Sequence, residues 1–191
     1  MTKSALLVVD IQKDFVEGGS LAVAGGLDVA RSIAAKMDYF RQTHDYVVAT
    51  KDWHIAPGNH WSDEPDWVSS WPVHCEAETD GAEFAAHLWT DEDFDSVFRK
   101  GEYAAAYSGF EGKNDDGELL ADWLNDRDVS EVSIVGIATD YCVAATAVSS
   151  ADAGFATSVL LKHTAAVLPS SVDTVVDILK RSGINVTGKV R

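Results

Sequence analysis

Three residues that could carry out covalent catalysis each follow an apolar run that is typical of a buried strand. Asp10 follows the run ALLVV, Lys100 ends residues 95–100, and Cys142 comes five residues after the run IVGI. A thiol that attacks a carbonyl carbon needs a base, and a carboxylate can take its proton. A neighbouring cation would stabilise the thiolate. The three residues are therefore candidates for a cysteine nucleophile with its helpers, although an inert thiol, a helix-capping aspartate and a solvated lysine are the alternatives.

The stretch around Cys142 reads SIVGIATDYCVAATA over residues 133–147. Its pattern predicts a buried strand, a short turn and then a helix that begins at Cys142. Backbone N–H groups at a helix N-terminus favour negative charge, so we expect the pKa of the thiol to be lowered. The same N–H groups could receive the oxyanion of a tetrahedral intermediate. The alternative is that Cys142 is a buried small side chain, as free cysteines often are.

Two cations, Arg99 and Lys100, end the third predicted strand. Successive side chains of a strand point to opposite faces, so only one of the two can point toward the thiol. The alternation does not decide which one does.

Residues 51–81 contain four tryptophans and three histidines but no convincing helix or strand. Asp52 and His54 lie at i and i+2 on one face of an extended segment, and His60 and His74 follow in the same loop. One carboxylate and three imidazoles leave coordination positions open, a donor set that suits Zn, Mn or Fe. Cys75 is a weaker candidate because it points away from its neighbour His74. The clustering favours a metal site over chance.

The order of apolar patterns predicts alternating strands and helices. Strands are expected at 5–10, 46–50, 95–100, 132–137, 157–162 and 184–190, and helices at 27–43, 118–124, 142–153 and 171–181. This alternation indicates an α/β fold with three α/β/α layers, a doubly wound, mostly parallel six-stranded sheet and a metal-binding loop insertion. Ligands of such folds bind outside the carboxyl ends of the strands, where the candidate catalytic residues fall.

Length and charge limit the class of protein. The 191 residues are expected to form a single domain, 1–191, and carry a formal net charge of −16. Such charge repels phosphate backbones and anionic lipid, which argues against nucleic acid and membranes as partners. Two distant cysteines, and an N-terminal apolar run too short for a signal peptide, predict a cytoplasmic protein.

Seven short motifs follow one another along the chain. They are DIQKDF (10–15), GGSLAV (18–23), KDWH (51–54), SWPVH (70–74), KG (100–101), YSGFEG (107–112) and GIATDYCV (136–143). Together they resemble the bacterial nicotinamidase/pyrazinamidase family, within the isochorismatase-like cysteine hydrolases.

The resemblance implies a role for individual residues. It implies a catalytic triad of Asp10, Lys100 and Cys142, and so selects Lys100 over Arg99. It further implies a cis peptide between Ile137 and Ala138, with an oxyanion hole formed by the N–H groups of Ala138 and Cys142. The implied metal ligands are Asp52, His54, His60 and His74, and the implied substrate pocket includes Phe15, Trp71, Tyr107, Ile137 and Tyr141, the last of which is histidine in some members.

The activity implied is a metal-assisted hydrolysis of nicotinamide to nicotinate and ammonia through a thioester, in NAD salvage, with pyrazinamide as a further substrate. The expected cofactor is one divalent transition metal, and the chain could be a monomer or a homo-oligomer. A carbamoyl amidase of the same superfamily is the alternative, but it would lack the metal ligands. A vinyl-ether hydrolase would not need Cys142, and a non-catalytic metal-binding or scaffold protein would not need the complete triad.

Overall fold

The computed structural model describes residues 2–85 and 89–190, and its centre is a six-stranded sheet in which every strand pairing is parallel. The strands are β1 (Lys3–Val9), β2 (Tyr46–Asp52), β3 (Ser96–Lys100), β4 (Val129–Ile137), β5 (Ala156–Ala165) and β6 (Asn185–Thr187). Their spatial order is β3-β2-β1-β4-β5-β6. The helices are α1 (Gly26–Ala34), α2 (Met37–Thr43), α3 (Leu120–Asn125), α4 (Ala144–Asp152) and α5 (Val172–Arg181).

Helices cover both faces of the sheet. Successive side chains of β1 point to opposite faces and are all apolar over Ala5–Val9, so both faces must be buried. Leu6 and Val8 belong to a core cluster that includes buried residues of α1 and α2. Leu7 and Val9 belong to a second cluster, which includes buried residues of α3, α4 and α5. This arrangement confirms the predicted three-layer, doubly wound α/β fold, with all pairings parallel rather than most of them.

The direction of winding reverses between β1 and β4, which are neighbours in the sheet although they are far apart in the chain. Gly136 makes their close approach possible. A Cβ there would lie 2.1 Å from the carbonyl oxygen of Val9, and its φ of +123° is unfavourable for other residues. Asp10, which follows β1, and Ile137, the last residue of β4, therefore lie side by side at the switch point, where ligands of such folds bind.

Some elements differ from the predicted bounds. The single helix expected over 27–43 is two helices, because Lys36 leaves helical backbone at φ −112° and ψ 1°, yet Ile33 and Met37 both remain buried. The helix expected from Cys142 is preceded by a π-helical turn, Thr139–Val143, so α4 itself begins at Ala144. In the described ranges, no helix combines the length and apolarity that crossing a bilayer requires.

Candidate active site

Lys100 is the centre of a buried polar cluster at the carboxyl end of the sheet. Its Nζ lies 2.9 Å from Asp10 Oδ2 and 3.7 Å from Cys142 Sγ, and it also donates to Asp52 Oδ1. Arg99 points to the other face, where it pairs with Asp91 at 2.5 Å. The structure therefore directs Lys100, and not Arg99, toward the thiol.

Asp10 is fixed on two sides. Thr50 Oγ1 donates a hydrogen bond of 2.6 Å to Asp10 Oδ1, and Lys100 contacts the other carboxylate oxygen. A carboxylate oxygen of Asp10 and the sulfur of Cys142 lie within 4.8 Å of one another. Thr50 was not among the predicted site residues, although it is the polar side chain that ends the run YVVAT, and it is fully buried.

The pKa values in this cluster are governed by burial and by Lys100. Burial raises the pKa of the Cys142 thiol well above its usual value, although the Lys100 ammonium opposes the shift. Burial also raises the pKa of Asp10. The expectation that the helix N-terminus would lower the pKa of the thiol is therefore wrong for this structure, because the cost of burying a charge is larger. A thiol whose pKa is shifted in this direction needs a base to become a thiolate.

Asp52 connects this cluster to the histidines. One carboxylate oxygen accepts from Lys100, and the other lies 3.6 Å from His54 Nε2 and 3.9 Å from His74 Nε2. Although burial opposes its charge, Lys100 and the neighbouring histidines hold the pKa of Asp52 well below its usual range. His54, His60 and His74 each offer one ring nitrogen, and these three atoms lie within 4.8 Å of one another.

The orientation of the imidazoles fits a metal ion. His54 Nδ1 lies 2.6 Å from the carbonyl oxygen of Gly101, and His74 Nδ1 lies 2.7 Å from that of Pro72. A carbonyl only accepts, so each Nδ1 donates to it, and in a neutral ring this leaves the lone pair on Nε2 for a metal. His54 Nε2 is buried without a hydrogen-bond partner. Burial lowers the pKa of His60 to about 4, so this ring is neutral at neutral pH.

The three histidines predicted as metal ligands thus lie together, and the carboxylate of Asp52 approaches two of them, His54 and His74. Gly101 is required there, since a Cβ would lie 2.5 Å from His54 Cε1. Cys75 is buried, but among the described residues it belongs to no group of potential ligands. This placement agrees with the prediction that Cys75 is a weaker candidate for a metal ligand than the histidines.

A cleft beside the thiol is walled by aromatic side chains. Trp71 donates its indole N–H to the Tyr107 hydroxyl at 3.1 Å and packs edge-on against Tyr141, with ring centroids 5.2 Å apart. The cleft is lined by Phe15, Leu21, Ala22, Val23, Asp52, His60, Trp71, His74, Tyr107, Ile137, Ala138, Tyr141, Cys142 and Val167. All five predicted pocket residues are among them. Residues 21–23 and Val167 also line the cleft but were not among the predicted pocket residues.

The implied cis peptide is present between Ile137 and Ala138. Ala138 and Cys142, the two residues of the predicted oxyanion hole, both line the cleft. Asp140, between them, accepts from the main-chain N–H groups of Val167 and Leu168 at 2.9 Å and 2.8 Å. These bonds hold the loop after β5 against the turn that carries the thiol.

A doubly wound parallel sheet, with a buried thiol, lysine and carboxylate at its switch point, defines this molecule as an α/β protein with the side chains of a cysteine hydrolase. The chain belongs to the isochorismatase family, because residues 4–189 match the isochorismatase domain.

Several proteins of known name are similar to it. The nicotinamidase/pyrazinamidase of Mycobacterium tuberculosis is 52% identical over 178 residues, which cover 92% of each chain. The zinc complex of the Pyrococcus horikoshii pyrazinamidase superposes with a TM-score of 0.81 at 35% identity, covering 97% of this chain and 98% of that one. The yeast nicotinamidase bound to the inhibitor nicotinaldehyde has a TM-score of 0.83 at 28% identity, with 97% and 100% covered.

Proposed function

We propose that this chain hydrolyses nicotinamide to nicotinate and ammonia through a thioester on Cys142, and that it also accepts pyrazinamide. The observation that carries the proposal is the position of Lys100, which contacts Asp10 and Asp52 and approaches Cys142 beside an aromatic cleft. The 52% identical relative carries both substrates in its name. The reaction that we propose for this chain would serve NAD salvage.

The metal is assigned to Asp52, His54, His60 and His74. Three imidazoles and one carboxylate suit a divalent ion of the group zinc, manganese and iron. When bound, such an ion supplies a Lewis acid that orients a heteroaromatic ring nitrogen.

The aromatic cleft orients the substrate ring. Phe15, Trp71 and Tyr107 present ring surfaces to the cleft, and Ile137 and Tyr141 complete its lining. A flat ring held among these side chains directs its carboxamide toward Cys142. Holding the two reacting groups together in this way lowers the entropic part of the barrier.

Acylation begins when Asp10 takes the proton of the Cys142 thiol. The sulfur attacks the carboxamide carbon, and the carbonyl oxygen becomes an oxyanion. This oxyanion accepts hydrogen bonds from the N–H groups of Ala138 and Cys142. Asp10 then returns the proton to the nitrogen as the C–N bond breaks, and ammonia leaves. Lys100 keeps its charge throughout, because the neighbouring carboxylates Asp10 and Asp52 outweigh the effect of burial and raise its pKa.

Deacylation repeats these proton transfers with water. Asp10 takes a proton from a water molecule, whose oxygen attacks the thioester carbon. The C–S bond breaks as Asp10 returns the proton to the sulfur, and nicotinic acid leaves and loses its own proton to solvent as nicotinate. Each cycle thus consumes one water and returns Asp10 and Cys142 to their first state.

We also propose that residues 1–191 form one catalytic domain, because side chains from Asp10 to Cys142 meet at one edge of one sheet. The cytoplasm is the assigned location, since the thiol must stay reduced for every cycle.

The test is an assay of the purified, metal-loaded protein with nicotinamide and with pyrazinamide. We expect equimolar ammonia and carboxylic acid from each substrate, and loss of product when the metal is removed by a chelator and dialysis. Restoring zinc, manganese or iron singly to the depleted protein identifies the metal. No ammonia above the uncatalysed rate with any of these metals would refute the proposal.

A further inference from the structure

The segment Asp10–Asp14 follows β1 and places three alternate polar side chains at the site. Asp10 contacts Lys100, while Gln12 and Asp14 touch neither the thiol nor Lys100 in any hydrogen bond of the described residues. Both instead bind the main chain of segments that carry metal ligands. Neither residue is among the predicted site residues.

The Gln12 side chain makes hydrogen bonds to the main chain at the end of β2, where β1 no longer pairs with it. The ladder between β1 and β2 ends at the pair Val9 and Thr50, because Asp10 turns away with a φ of 47°. β2 continues to Asp52 without its β1 partner. There the Gln12 carboxamide accepts from the N–H of Asp52 at 2.8 Å and donates to its C=O at 2.8 Å.

The Gln12 side chain is fully buried and fully used. Its Nε2 also donates to the carbonyl oxygen of Ala82 at 2.9 Å. Both amide donors and the acceptor are therefore satisfied, which is what a buried carboxamide requires. Neither a carboxylate nor an aliphatic side chain of this size could make the same three bonds.

Asp14 holds the second segment. Its Oδ2 accepts from the N–H of Cys75, the residue after His74, at 2.7 Å. Cys75 has a φ of 45°, a conformation that needs support in a residue other than glycine. The carbonyl of the same residue accepts from the N–H of His54 at 3.0 Å. The main chain of Cys75 thus links Asp14 to a second ligand-bearing segment.

We propose that Gln12 and Asp14 are positioning residues of the metal site, which hold the main chains of Asp52 and Cys75 so that ligands from two segments stay aligned with Asp10. The proposal rests on the assignment of the metal to Asp52, His54, His60 and His74. Outer groups that orient metal ligands typically change metal affinity about 10- to 100-fold when they are removed. A role in folding alone would change stability and leave the affinity of the folded protein unaltered.

The test compares Gln12→Met, Asp14→Ala and Asp14→Asn with the parent chain. Zinc affinity of each metal-depleted protein is measured by competition with a chromophoric chelator, and ligand geometry by the visible absorption of the cobalt(II) form. We expect Gln12→Met and Asp14→Ala to bind zinc about 10- to 100-fold more weakly, with a changed cobalt spectrum. Asp14→Asn keeps an acceptor for the Cys75 N–H and should recover most of the affinity.

Asp45→Ala is the matched control. Asp45 Oδ2 also accepts a main-chain hydrogen bond, from Ser4 at 2.8 Å, but at the start of β1. We expect Asp45→Ala to lower the melting temperature and to leave zinc affinity at the parent value.

Three results would overturn the proposal. Parent-like zinc affinity and cobalt spectrum in Asp14→Ala would do so, and so would an equal loss of affinity in Asp45→Ala. Asp14→Ala and Asp45→Ala decide the question, so the proposal can still be refuted if Gln12→Met fails to fold. A parent chain that binds no zinc, manganese or iron would remove the metal assignment as well, whereas tight binding by parent and variants alike would remove only the positioning role.

Discussion

The catalytic edge of the sheet and the metal-binding loop meet in one cleft, but different interactions hold their side chains. Asp10, Lys100 and Cys142 stand at or just beyond strand ends, and buried apolar residues fix the strands that carry them. His60 and His74 lie in a segment without long regular elements. There the chain is held by hydrogen bonds from side chains to the main chain.

The loop shows this second mode clearly at Asp66. One of its carboxylate oxygens accepts from the N–H groups of Val68, Ser69 and Ser70, at 2.9, 2.8 and 2.8 Å. These hydrogen bonds lower the pKa of Asp66 below its usual range. An exposed carboxylate thus shapes the turn that precedes Trp71. We infer that a single change in the loop should act locally, whereas one in the sheet should act on the whole fold.

The largest effect should come from Cys142→Ala, which removes the nucleophile and leaves the cluster around it. We expect turnover of nicotinamide to fall about 10⁴-fold or more, as removal of a catalytic nucleophile does in other hydrolases. Zinc affinity should match the parent, because the thiol is not among the assigned ligands. Ammonia release and chelator competition measure the two quantities.

Cys75→Ala is the control for this variant, since it removes the chain's other buried thiol. It should retain most of the turnover. If Cys142→Ala kept more than one-hundredth of the parent rate, the edge of the sheet would not supply the nucleophile.

His54→Ala should impair metal binding by the loop and leave the sheet intact. The imidazole is fully buried and its Nε2 faces Asp52, so we expect zinc affinity to fall by more than about 100-fold, beyond the loss typical of outer groups. Far-ultraviolet circular dichroism should keep the parent spectrum, because no strand depends on this ring. Binding of nicotinamide, measured by calorimetry, should be lost with the metal.

His44→Ala serves as the comparison, because His44 lies at the end of α2 and bonds the carbonyl oxygen of Phe40 at 3.1 Å. It should bind zinc as the parent does. Full metal occupancy in His54→Ala would remove the loop assignment.

The difference between the two regions also explains what the sequence could predict. Asp10 and Cys142 could be found because apolar runs mark the strands that precede them. The choice between Arg99 and Lys100 could not be made from alternation, since the register of the strand against its neighbours decides it. The resemblance to a family made that choice, and the structure directs Lys100 inward.

Residues that act through another segment's main chain escaped prediction. Gln12 binds Asp52 from 40 positions away, and Asp14 binds Cys75 from 61 positions away. Neither contact leaves a periodicity or a spacing in the sequence. The pKa of Cys142 was predicted in the wrong direction for a related reason, because burial depends on how distant segments close over the thiol.

Gly136→Ala should damage the sheet rather than the loop. The new Cβ would lie 2.1 Å from the carbonyl oxygen of Val9, and the backbone φ is +123°. We expect the free energy of unfolding to fall by about 3 kcal/mol or more from the clash and the backbone strain. Urea denaturation of the metal-free protein measures the loss.

The matched change is Gly154→Ala, where φ is +93° but no heavy atom lies within 4 Å of the new Cβ. Its cost should be limited to the backbone, at about 1 kcal/mol. Equal losses in the two variants would mean that the contact between β1 and β4 is not what makes Gly136 necessary.

The smallest effect should come from Tyr107→Phe, which tests whether the aromatic wall contributes through shape or through chemistry. The change removes the hydroxyl that accepts from the Trp71 indole at 3.1 Å and keeps the ring in place. One neutral hydrogen bond is worth about 1 kcal/mol, so KM should rise about 5-fold while kcat stays near the parent value. Tyr103→Phe, at an exposed position, should change neither constant. A fall in kcat with KM unchanged would instead place the Tyr107 hydroxyl at the reacting carboxamide, and the aromatic wall of the cleft would then take part in bond making as well as in binding.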